Sequence, residues 1–380
     1  MDKIQFSVGI YQEGGAELTA QVKIQPGVDS GSLLITGTPG SGKSVCGQMI
    51  LCQLAMQDIP VIVIDLRSTL VKERIYSAFQ EFFKLKIKHW DLYTSHLPCS
   101  LLTPTVFADG TVEKSYDSAA AIAKILADHF RFGQTQRGLI AEACEQVIQN
   151  GSYHKQGFAA LEEALKNLST RETRSIITRL RTLFLHNPFI DGEWQYASNY
   201  IHVMDLTKYA SNPPVQSAIA ELILFHVWNQ VSTSRKRTPI YVYCDEFQNI
   251  GLHKSGILEK ILTEGRKFGI NIVLITQSLT ICFSAEEQQL LSQAPYMLIF
   301  RSTGRDAERW ARQICIPESY TEMTQLLKNL MRGECVIFGS IYLAEENSIF
   351  SEPLKIAIQA EKALLRNCKR SGKPKIEIIG

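Results

Sequence analysis

The segment of residues 37–44 restricts the fold of this chain more than any other part of the sequence. It reads Gly-Thr-Pro-Gly-Ser-Gly-Lys-Ser and directly follows an apolar run, Leu33–Thr36. The pattern Gly-x-x-x-x-Gly-Lys-Ser/Thr between a strand and a helix forms a loop whose backbone N–H groups face a phosphate, together with the positive end of the helix. An ordinary glycine-rich turn is the alternative. The segment predicts a strand at residues 33–36, a nucleoside triphosphate site and a helix over residues 43–57.

Short apolar runs alternate with longer helical segments along much of the chain. Such alternation is typical of an α/β domain with a largely parallel sheet. Besides the strand at residues 33–36, we expect strands at residues 61–64, 201–205, 240–244, 270–275, 297–300 and 335–338. The helices predicted between the later strands cover residues 215–231, 257–267 and 305–315.

A group of helical segments interrupts this alternation. Residues 111–130, 136–150, 156–168 and 170–185 are predicted helices, and Ser169 with Glu172 resembles a capping box. We therefore expect an all-helical subdomain inserted between two strands. The predicted organisation is a short N-terminal strand segment (residues 1–32), the first part of an ATPase core (33–109), the inserted all-α subdomain (110–188), the second part of the core (189–360) and a basic C-terminal tail (361–380).

Composition excludes several other classes of protein. The 380 residues are 45% hydrophobic and 21% charged, with a formal net charge of +2, which argues against a disordered chain and a collagen-like repeat. The nine cysteines include no Cys-x-x-Cys pair, so neither a disulfide framework nor a zinc ribbon is expected. No apolar run approaches the roughly 20 residues of a membrane span. We expect a cytoplasmic protein without a membrane-spanning segment.

Two acidic residues, Asp245 and Glu246, follow the apolar run at residues 240–244. A carboxylate at the end of a buried strand can hold Mg²⁺, which we assign to Asp245, and the next acid, Glu246, can polarise the attacking water. Packing explains two adjacent acids poorly, because buried carboxylates cost free energy unless they are paired or bound to metal. Lys43 is expected to contact the β- and γ-phosphates, and Ser44 to complete the Mg²⁺ site.

These residues indicate an ATP hydrolase with ATP and Mg²⁺ as ligands. The guanine-reading Asn-Lys-x-Asp motif and the Leu-Ser-Gly-Gly-Gln signature of transporter-type ATPases are both missing from the sequence. The predicted nucleotide-binding residues are Gly37, Thr38, Pro39, Gly40, Ser41, Gly42, Lys43, Ser44 and Val45.

Three further segments carry a resemblance to a known group of proteins. They are Asp-Glu-Phe-Gln-Asn at residues 245–249, Leu-Thr-Glu-Gly-Arg-Lys-Phe-Gly at 262–269 and Leu-Ile-Thr-Gln-Ser at 274–278. The chain resembles the HerA/FtsK superfamily of hexameric DNA motors over nearly all of residues 30–340, and is closest to the HerA-like and conjugative coupling-protein (TraG/TraD-type) branches. The resemblance implies a RecA-like P-loop core, a mostly parallel sheet with a catalytic Glu and an inserted all-helical subdomain.

The resemblance also implies roles for two residues. Arg266 corresponds to a finger that enters the ATP site of the neighbouring subunit, where a guanidinium can stabilise phosphoryl charge. Gln277 corresponds to a polar sensor of the γ-phosphate or attacking water. The alternatives are a solvated cation at a helix end for Arg266 and a polar strand-end cap for Gln277. For Asp65 a site role and a turn-forming role are both open. Arg301 and Arg305 are either interface cations or the start of a surface helix.

The function implied by the resemblance is an ATP-driven DNA translocase. We expect a homo-oligomeric ring, as a hexamer, that binds DNA without sequence preference. A separate anchor, nuclease or adaptor protein is expected as a partner, because only 32 residues precede Leu33. Two alternatives stay open: a secretion-system ATPase that powers protein or pilus export, and a nucleotide-gated scaffold for a partner nuclease or effector. The candidate DNA contacts are a pore loop at residues 251–256, Arg171, Arg174, Arg179, Arg181, Arg235, Lys236, Arg237, Lys369, Arg370, Lys373 and Lys375.

Overall fold

The computed structural model describes residues 3–107, 109–196, 200–234, 238–252, 256–360 and 362. The strands are β1 (Ile4–Glu13), β2 (Ala16–Ile24), β3 (Leu33–Thr36), β4 (Val61–Asp65), β5 (Ile87–Asp91), β6 (Leu97–Pro98), β7 (Phe189–Ile190), β8 (Ile201–Asp205), β9 (Ile240–Asp245), β10 (Ile270–Thr276), β11 (Tyr296–Phe300), β12 (Glu334–Phe338), β13 (Ile341–Leu343), β14 (Ser348–Phe350) and β15 (Leu354–Ala357).

The helices connect these strands and cover the sheet. They are α1 (Lys43–Met56), α2 (Gln80–Lys86), α3 (Ser115–Phe130), α4 (Gln134–Asn150), α5 (Tyr153–Gln156), α6 (Ala159–Leu168), α7 (Arg171–His186), α8 (Pro213–Thr233), α9 (Ile257–Phe268), α10 (Leu279–Cys282), α11 (Ala285–Leu291), α12 (Gly304–Ile314) and α13 (Tyr320–Asn329). Within the described ranges, none of these helices combines the length and apolar character needed to cross a lipid bilayer.

One 13-stranded sheet organises the molecule, in the order β14-β13-β2-β1-β15-β12-β11-β3-β10-β9-β4-β8-β5. The strands from β11 to β5 run parallel. Strands β3, β4, β9 and β10 are buried throughout, as their near-continuous apolar sequences predict for strands covered on both faces. The predicted α/β fold with a mostly parallel core is confirmed, and every strand expected from the sequence is present.

The other half of the sheet is antiparallel and was only partly expected. Strands β1 and β2 form a long hairpin within the segment predicted to contain strands, and β15 joins β1 to β12. Strands β13 and β14 extend the sheet beyond β2. The hairpin packs over α1, because its buried face shares a core with Met49, Ile50 and Leu54 of that helix.

The helices α3–α7 lie on the opposite face of the sheet, in the connection from β5 to β8. Their buried side chains form one continuous core with α8, α9 and inward residues of the parallel strands, such as Ile62 and Leu274. A short parallel pair, β6 with β7, closes the base of this helical layer. The subdomain boundaries drawn from the sequence stay predictions.

The capping box predicted at Ser169 is wrong. Thr170 caps α7, and its side chain accepts a hydrogen bond from the backbone N–H of Thr173. Ser169 instead ends α6 in the left-handed conformation. The two helices are joined so tightly that one residue ends the first helix while the next residue begins the second.

Candidate nucleotide site

Three neighbouring parallel strands bring the predicted catalytic segments to one edge of the sheet. Strand β10 lies between β3 and β9, with Thr276 paired to Thr36 and Ile275 paired to Asp245. The loop after β3, the acids at the end of β9 and Gln277 after β10 therefore share the carboxyl edge of the sheet. Ligands of open α/β sheets bind at this edge.

The backbone of residues 37–44 is shaped to surround an anion. Gly37, Gly40 and Gly42 all have positive φ angles, and a Cβ on Gly37 would lie 2.6 Å from the Cβ of Phe300. No side chain caps α1 and no acid lies in its first turn, so its positive end and free N–H groups face the loop. The Ser41 hydroxyl is buried without a hydrogen-bond partner in the described part of the protein. An oxyanion ligand would satisfy this set of donors.

Lys43 is buried within the loop and folds back onto it. Its Nζ donates to the carbonyl oxygens of Gly37 and Thr38, at 2.6 Å and 2.9 Å. Burial lowers the pKa of Lys43, an effect that the nearby carboxylates of Asp245 and Glu246 oppose. An incoming phosphate would replace two carbonyl acceptors with full negative charge, which is the better partner for an ammonium group.

Asp245 fits the role of a magnesium ligand. It is 5% exposed, and burial, with the charge of Glu246 adding to it, raises the pKa of its carboxyl group to about 7. A divalent cation beside it would offset both causes. The described residues contain no cluster of three His, Cys, Asp or Glu side chains that could hold a metal by themselves. Mg²⁺ keeps several waters and shares one or two protein ligands with substrate phosphates; Asp245 would be one ligand and the exposed Ser44 hydroxyl the second.

Glu246 and Gln277 form a direct pair at the strand ends. The Oε1 atom of Glu246 accepts a hydrogen bond from Nε2 of Gln277 at 2.7 Å, and Gln248 donates to the other carboxylate oxygen. Glu246 has a φ of 54°, a left-handed conformation in which the chain turns sharply after the strand. The carboxylate is half-buried, and two amide donors fix its orientation. Gln248 was not predicted, although it belongs to the same Asp-Glu-Phe-Gln-Asn segment.

Arg266 lies away from this cluster. It is exposed in the last turn of α9, and β10 begins four residues later at Ile270. The carboxyl end of β10 carries Gln277, so the length of the strand, roughly 20 Å, separates Arg266 from the acids. Arg266 cannot contact the site of its own chain.

The remaining predicted residues divide into loop supports and surface groups. The carbonyl oxygen of Arg301 accepts from the N–H and hydroxyl groups of Thr38, at 2.8 Å and 3.1 Å, so its backbone holds the phosphate loop. Arg305 is exposed at the start of α12. The Asp65 carboxylate accepts from the N–H groups of Arg67 and Thr69, at 3.1 Å and 3.0 Å, which favours the turn-forming role.

A pocket that the sequence did not predict adjoins the first turn of α1. Its volume is about 480 Å³, and it lies between the phosphate loop and the end of β15. Two predicted residues, Gly42 and Val45, line it. The other lining residues include an aromatic ring and two cations: Tyr76, Arg332, Gly333, Ile358, Gln359, Ala360 and Lys362. No local motif marks the residues outside the phosphate loop, because they come from three separate parts of the chain.

The arginines predicted to contact DNA on α7 have two different roles. Arg171, Arg174 and Arg181 are exposed at helical spacing on one face. Arg179 donates instead to the carbonyl oxygen of Phe130 and lies over the ring of Phe132, 4.4 Å from its centroid. Other predicted contacts lie outside the described residues: residues 253–255 of the pore loop, 235–237, and Lys369, Arg370, Lys373 and Lys375 of the tail.

Residues 239–314 match the model of a family described as the TraM recognition site of TraD and TraG. This segment contains Asp245, Glu246, Arg266 and Gln277. No curated protein matches the sequence significantly.

Solved structures share the fold over most of the chain. The superposition on VirB4 of Thermoanaerobacter pseudethanolicus has a TM-score of 0.69 at 16% identity. It covers 93% of this chain and 96% of the VirB4 chain. The plasmid coupling protein TrwB in complex with ADP and Mg²⁺ has a TM-score of 0.57 at 15% identity, with coverage of 87% and 85%. Its complex with a non-hydrolysable ATP analogue gives the same values. The predicted RecA-like fold is thereby confirmed, and the chain is similar to the coupling protein TrwB in fold and to TraD and TraG over residues 239–314.

Proposed function

We propose that the chain is a Mg²⁺-dependent ATPase that assembles into a ring and uses hydrolysis to move DNA. The observation that carries the proposal is the meeting of the phosphate loop, Asp245 and the Glu246–Gln277 pair at one edge of the sheet. The fold shared with TrwB, a coupling protein solved with ADP and Mg²⁺, supports it. So does the match of residues 239–314 to the TraD and TraG family model.

Each residue of the site has a separate role in ATP hydrolysis. Backbone N–H groups of residues 40–45 bind the phosphates, and Lys43 exchanges its carbonyl partners for the β- and γ-phosphates. Ser44 and Asp245 would hold Mg²⁺, which would supply neutralisation of the phosphate charge. Glu246 takes the proton of the attacking water, whose oxygen bonds to the γ-phosphorus as the bond to the bridging oxygen breaks; ADP and phosphate result. Gln277 holds Glu246 in place. The pocket beside Val45 receives the nucleoside.

The position of Arg266 supports a ring. Because this residue lies at the far edge of the sheet from the acids of its own chain, the nucleotide that its guanidinium would contact is that of a neighbouring copy. Repetition of this head-to-tail contact closes a ring, which we propose is a hexamer.

DNA contacts require cations that are not already neutralised. None of the arginines that the structure describes forms an ion pair; the ion pairs there use lysine or histidine. The stripe of Arg171, Arg174 and Arg181 on α7 is therefore available to bind phosphate. Contacts to the backbone alone carry no sequence preference. The proposed location is the cytoplasm, with a separate anchor or adaptor protein as partner.

The test is steady-state ATP hydrolysis with and without DNA of random sequence, with Glu246→Gln as the inactive control. We expect stimulation by DNA that weakens with salt, since each phosphate contact releases counterions. Replacement of Arg171, Arg174 and Arg181 by alanine should lower the slope of log affinity against log salt concentration by about 2 to 3 on duplex DNA. ATP hydrolysis that does not respond to DNA would contradict the translocase proposal but not the ATPase proposal.

One observation favours a second candidate, a motor for export of protein or pilus subunits. A groove of about 600 Å³ lies beside Leu252, the last described residue before residue 253 of the predicted pore loop. Four carboxylates line it, from Asp128, Glu259, Glu286 and Glu287, together with one cation, Lys124, which pairs with Asp128. Such a surface repels phosphate and suits a basic polypeptide. Stimulation of hydrolysis by a basic protein substrate, with no response to DNA, would select this candidate.

A further inference from the structure

Helix α8 holds the loop that leaves the catalytic acids. The Ser217 hydroxyl on this helix donates to the carbonyl oxygen of Asn249. The Asn249 side chain in turn donates from Nδ2 to the carbonyl oxygen of Glu246, at 2.9 Å. Two hydrogen bonds therefore connect the backbone of the proposed general base to the first turns of α8.

A second anchor lies one helical turn further along α8. Glu221 is buried, and its Oε1 accepts from the N–H of Ile257, the first residue of α9, at 3.4 Å. A carboxylate at this position is also favoured by the positive end of α9. Both ends of the segment 246–257, which includes the predicted pore loop, are thus tied to one face of α8.

The same carboxylate also holds the helical layer. Its Oε2 lies 2.6 Å from Nε2 of His129 on α3, and the two side chains are 8% and 4% exposed. Helices α3 and α9 each pack extensively on α8 but make little contact with each other. Glu221 is therefore a polar link among a helix of the inserted layer, the helix that carries Arg266, and α8.

We propose that Glu221 and His129 are positioning residues that transmit the nucleotide state from Glu246 to the helical layer α3–α7. The inference rests on the proposed ATPase function and adds to it the route of coupling. A change at the γ-phosphate shifts Glu246, and Asn249 carries the shift to α8 and to the start of α9. Because one buried carboxylate joins α9 to α3, the two helices respond together.

A hydrogen bond is directional, and this is the physical reason for a polar pair rather than an apolar one between these helices. An apolar pair of similar volume at a buried ion pair is often neutral or stabilising. Stability alone therefore does not require Glu221 and His129. A hydrogen-bonded carboxylate, unlike a methyl group, keeps the two helices in a fixed register.

Hydrogen exchange of the full chain tests the coupling without any DNA. The probe is a non-hydrolysable ATP analogue with Mg²⁺. In the wild type we expect slower exchange at residues 37–56 and a coupled change of about tenfold at residues 115–130, the size that a typical coupling free energy gives. The double variant Glu221→Leu/His129→Leu should keep the protection at residues 37–56 but lose the change at residues 115–130.

Two matched variants separate coupling from packing. Glu221→Gln retains an acceptor for the Ile257 N–H and a polar partner for His129, so it should behave as the wild type. Asp128→Asn alters the neighbouring residue of α3, which pairs with Lys124 at the surface, and should also leave the coupling intact.

The outcomes distinguish the two proposals. A double variant that still transmits the change to residues 115–130 overturns this inference. So does a wild type protected at residues 37–56 but unchanged at residues 115–130. If the analogue protects neither region, the ATPase proposal fails and the coupling fails with it. If the double variant does not fold, His129→Gln against His129→Leu repeats the comparison, with transmission expected only in the variant that can still donate to Glu221.

Discussion

At the scale of single residues, the contact between Gln277 and Glu246 separates the two interpretations of Gln277. The glutamine is exposed, so its replacement by alanine should leave the free energy of unfolding nearly unchanged. The Glu246 carboxylate, however, loses one of the two amides that orient it. We expect Gln277→Ala to lower the hydrolysis rate about 10- to 100-fold while ATP affinity changes little.

Single-turnover hydrolysis and equilibrium nucleotide binding measure these two quantities. Gln289→Ala, at an exposed glutamine of α11, is the matched control and should be active. A Gln277→Ala protein that unfolds more easily but hydrolyses ATP normally would favour the strand-end cap.

Four adjacent parallel strands end in aspartate, which shows what the sequence can predict of the site. Asp65, Asp91, Asp205 and Asp245 close β4, β5, β8 and β9. The first three accept hydrogen bonds from N–H groups two or more residues ahead, as turn-forming aspartates do. Asp245 is predictable because a second acid follows it. What the sequence could not supply was the choice for Asp65: strand order places β4 directly beside β9, and only the hydrogen bonds from Arg67 and Thr69 favour a turn-forming role there.

His226 on α8 should make the stability of the protein depend on pH. The ring stacks near Trp194 and is buried, and burial lowers its pKa to about 4. The unfolded chain takes up a proton near the ordinary pKa of 6.5, whereas the folded chain does not. Stability is therefore retained above pH 6.5 and lost as the pH falls toward 4. The contribution of His226 to this loss is about 2 kcal/mol between pH 7 and pH 5.

Urea unfolding at the two pH values checks this expectation. His226→Phe keeps an aromatic ring beside Trp194 and should remove about 2 kcal/mol of the pH dependence. His154→Gln, at an exposed histidine paired with Asp191, serves as the control. Equal pH dependence in wild type and His226→Phe would show that His226 does not carry the effect.

At the scale of elements, the packing of α1 on the sheet fixes the phosphate loop, and two glycines test it. A Cβ on Gly47 of α1 would lie 2.3 Å from the hydroxyl oxygen of Tyr243, a fully buried residue of β9. Gly47→Ala should therefore destabilise the protein by about 1–3 kcal/mol and displace α1 and its loop. Gly138 of α4 is exposed, with nothing within 4 Å of its Cβ position. Gly138→Ala should stabilise by about 0.5–1 kcal/mol.

Thermal or denaturant unfolding measures whether each substitution stabilises or destabilises the protein. Nucleotide affinity measures its effect on the phosphate loop. We expect weaker ATP binding in Gly47→Ala and unchanged binding in Gly138→Ala. A neutral Gly47→Ala substitution would mean that α1 lies further from β9 than the structure shows.

The elements that the sequence did not predict share a physical cause. The parallel strands are apolar throughout because helices cover both faces, so short runs such as residues 61–64 were sufficient evidence. Strand β5 is an edge strand whose Lys88 and His89 are exposed, and it gives no such run. Strands β13 and β14 are three residues each. Strand β13 pairs with the distant β2, and β14 is an edge strand that pairs with β13.

At the scale of the whole molecule, the sheet separates two functional edges. Chain order places Arg266 before β10 and Gln277 after it, so the two lie at opposite ends of that strand. What one chain cannot provide is the surface that brings them together. A site that uses Arg266 needs a second copy stacked head to tail, with the amino edge of one sheet against the carboxyl edge of the next.

This arrangement predicts complementation between two inactive proteins. Glu246→Gln removes the base and Arg266→Ala removes the finger, so rings of either variant alone should be inactive. In rings mixed at equal amounts, an intact site forms wherever an Arg266→Ala subunit, which keeps Glu246, receives the finger of a Glu246→Gln neighbour. Random assembly places this pair at about a quarter of the interfaces, so about a quarter of wild-type turnover should return. Lys267→Ala, beside Arg266 in the surface pair with Glu264, should be active alone. If rings shown to be mixed stay inactive at every ratio, or if Arg266→Ala alone hydrolyses ATP normally, the site is complete within one chain and the head-to-tail ring loses its chemical basis.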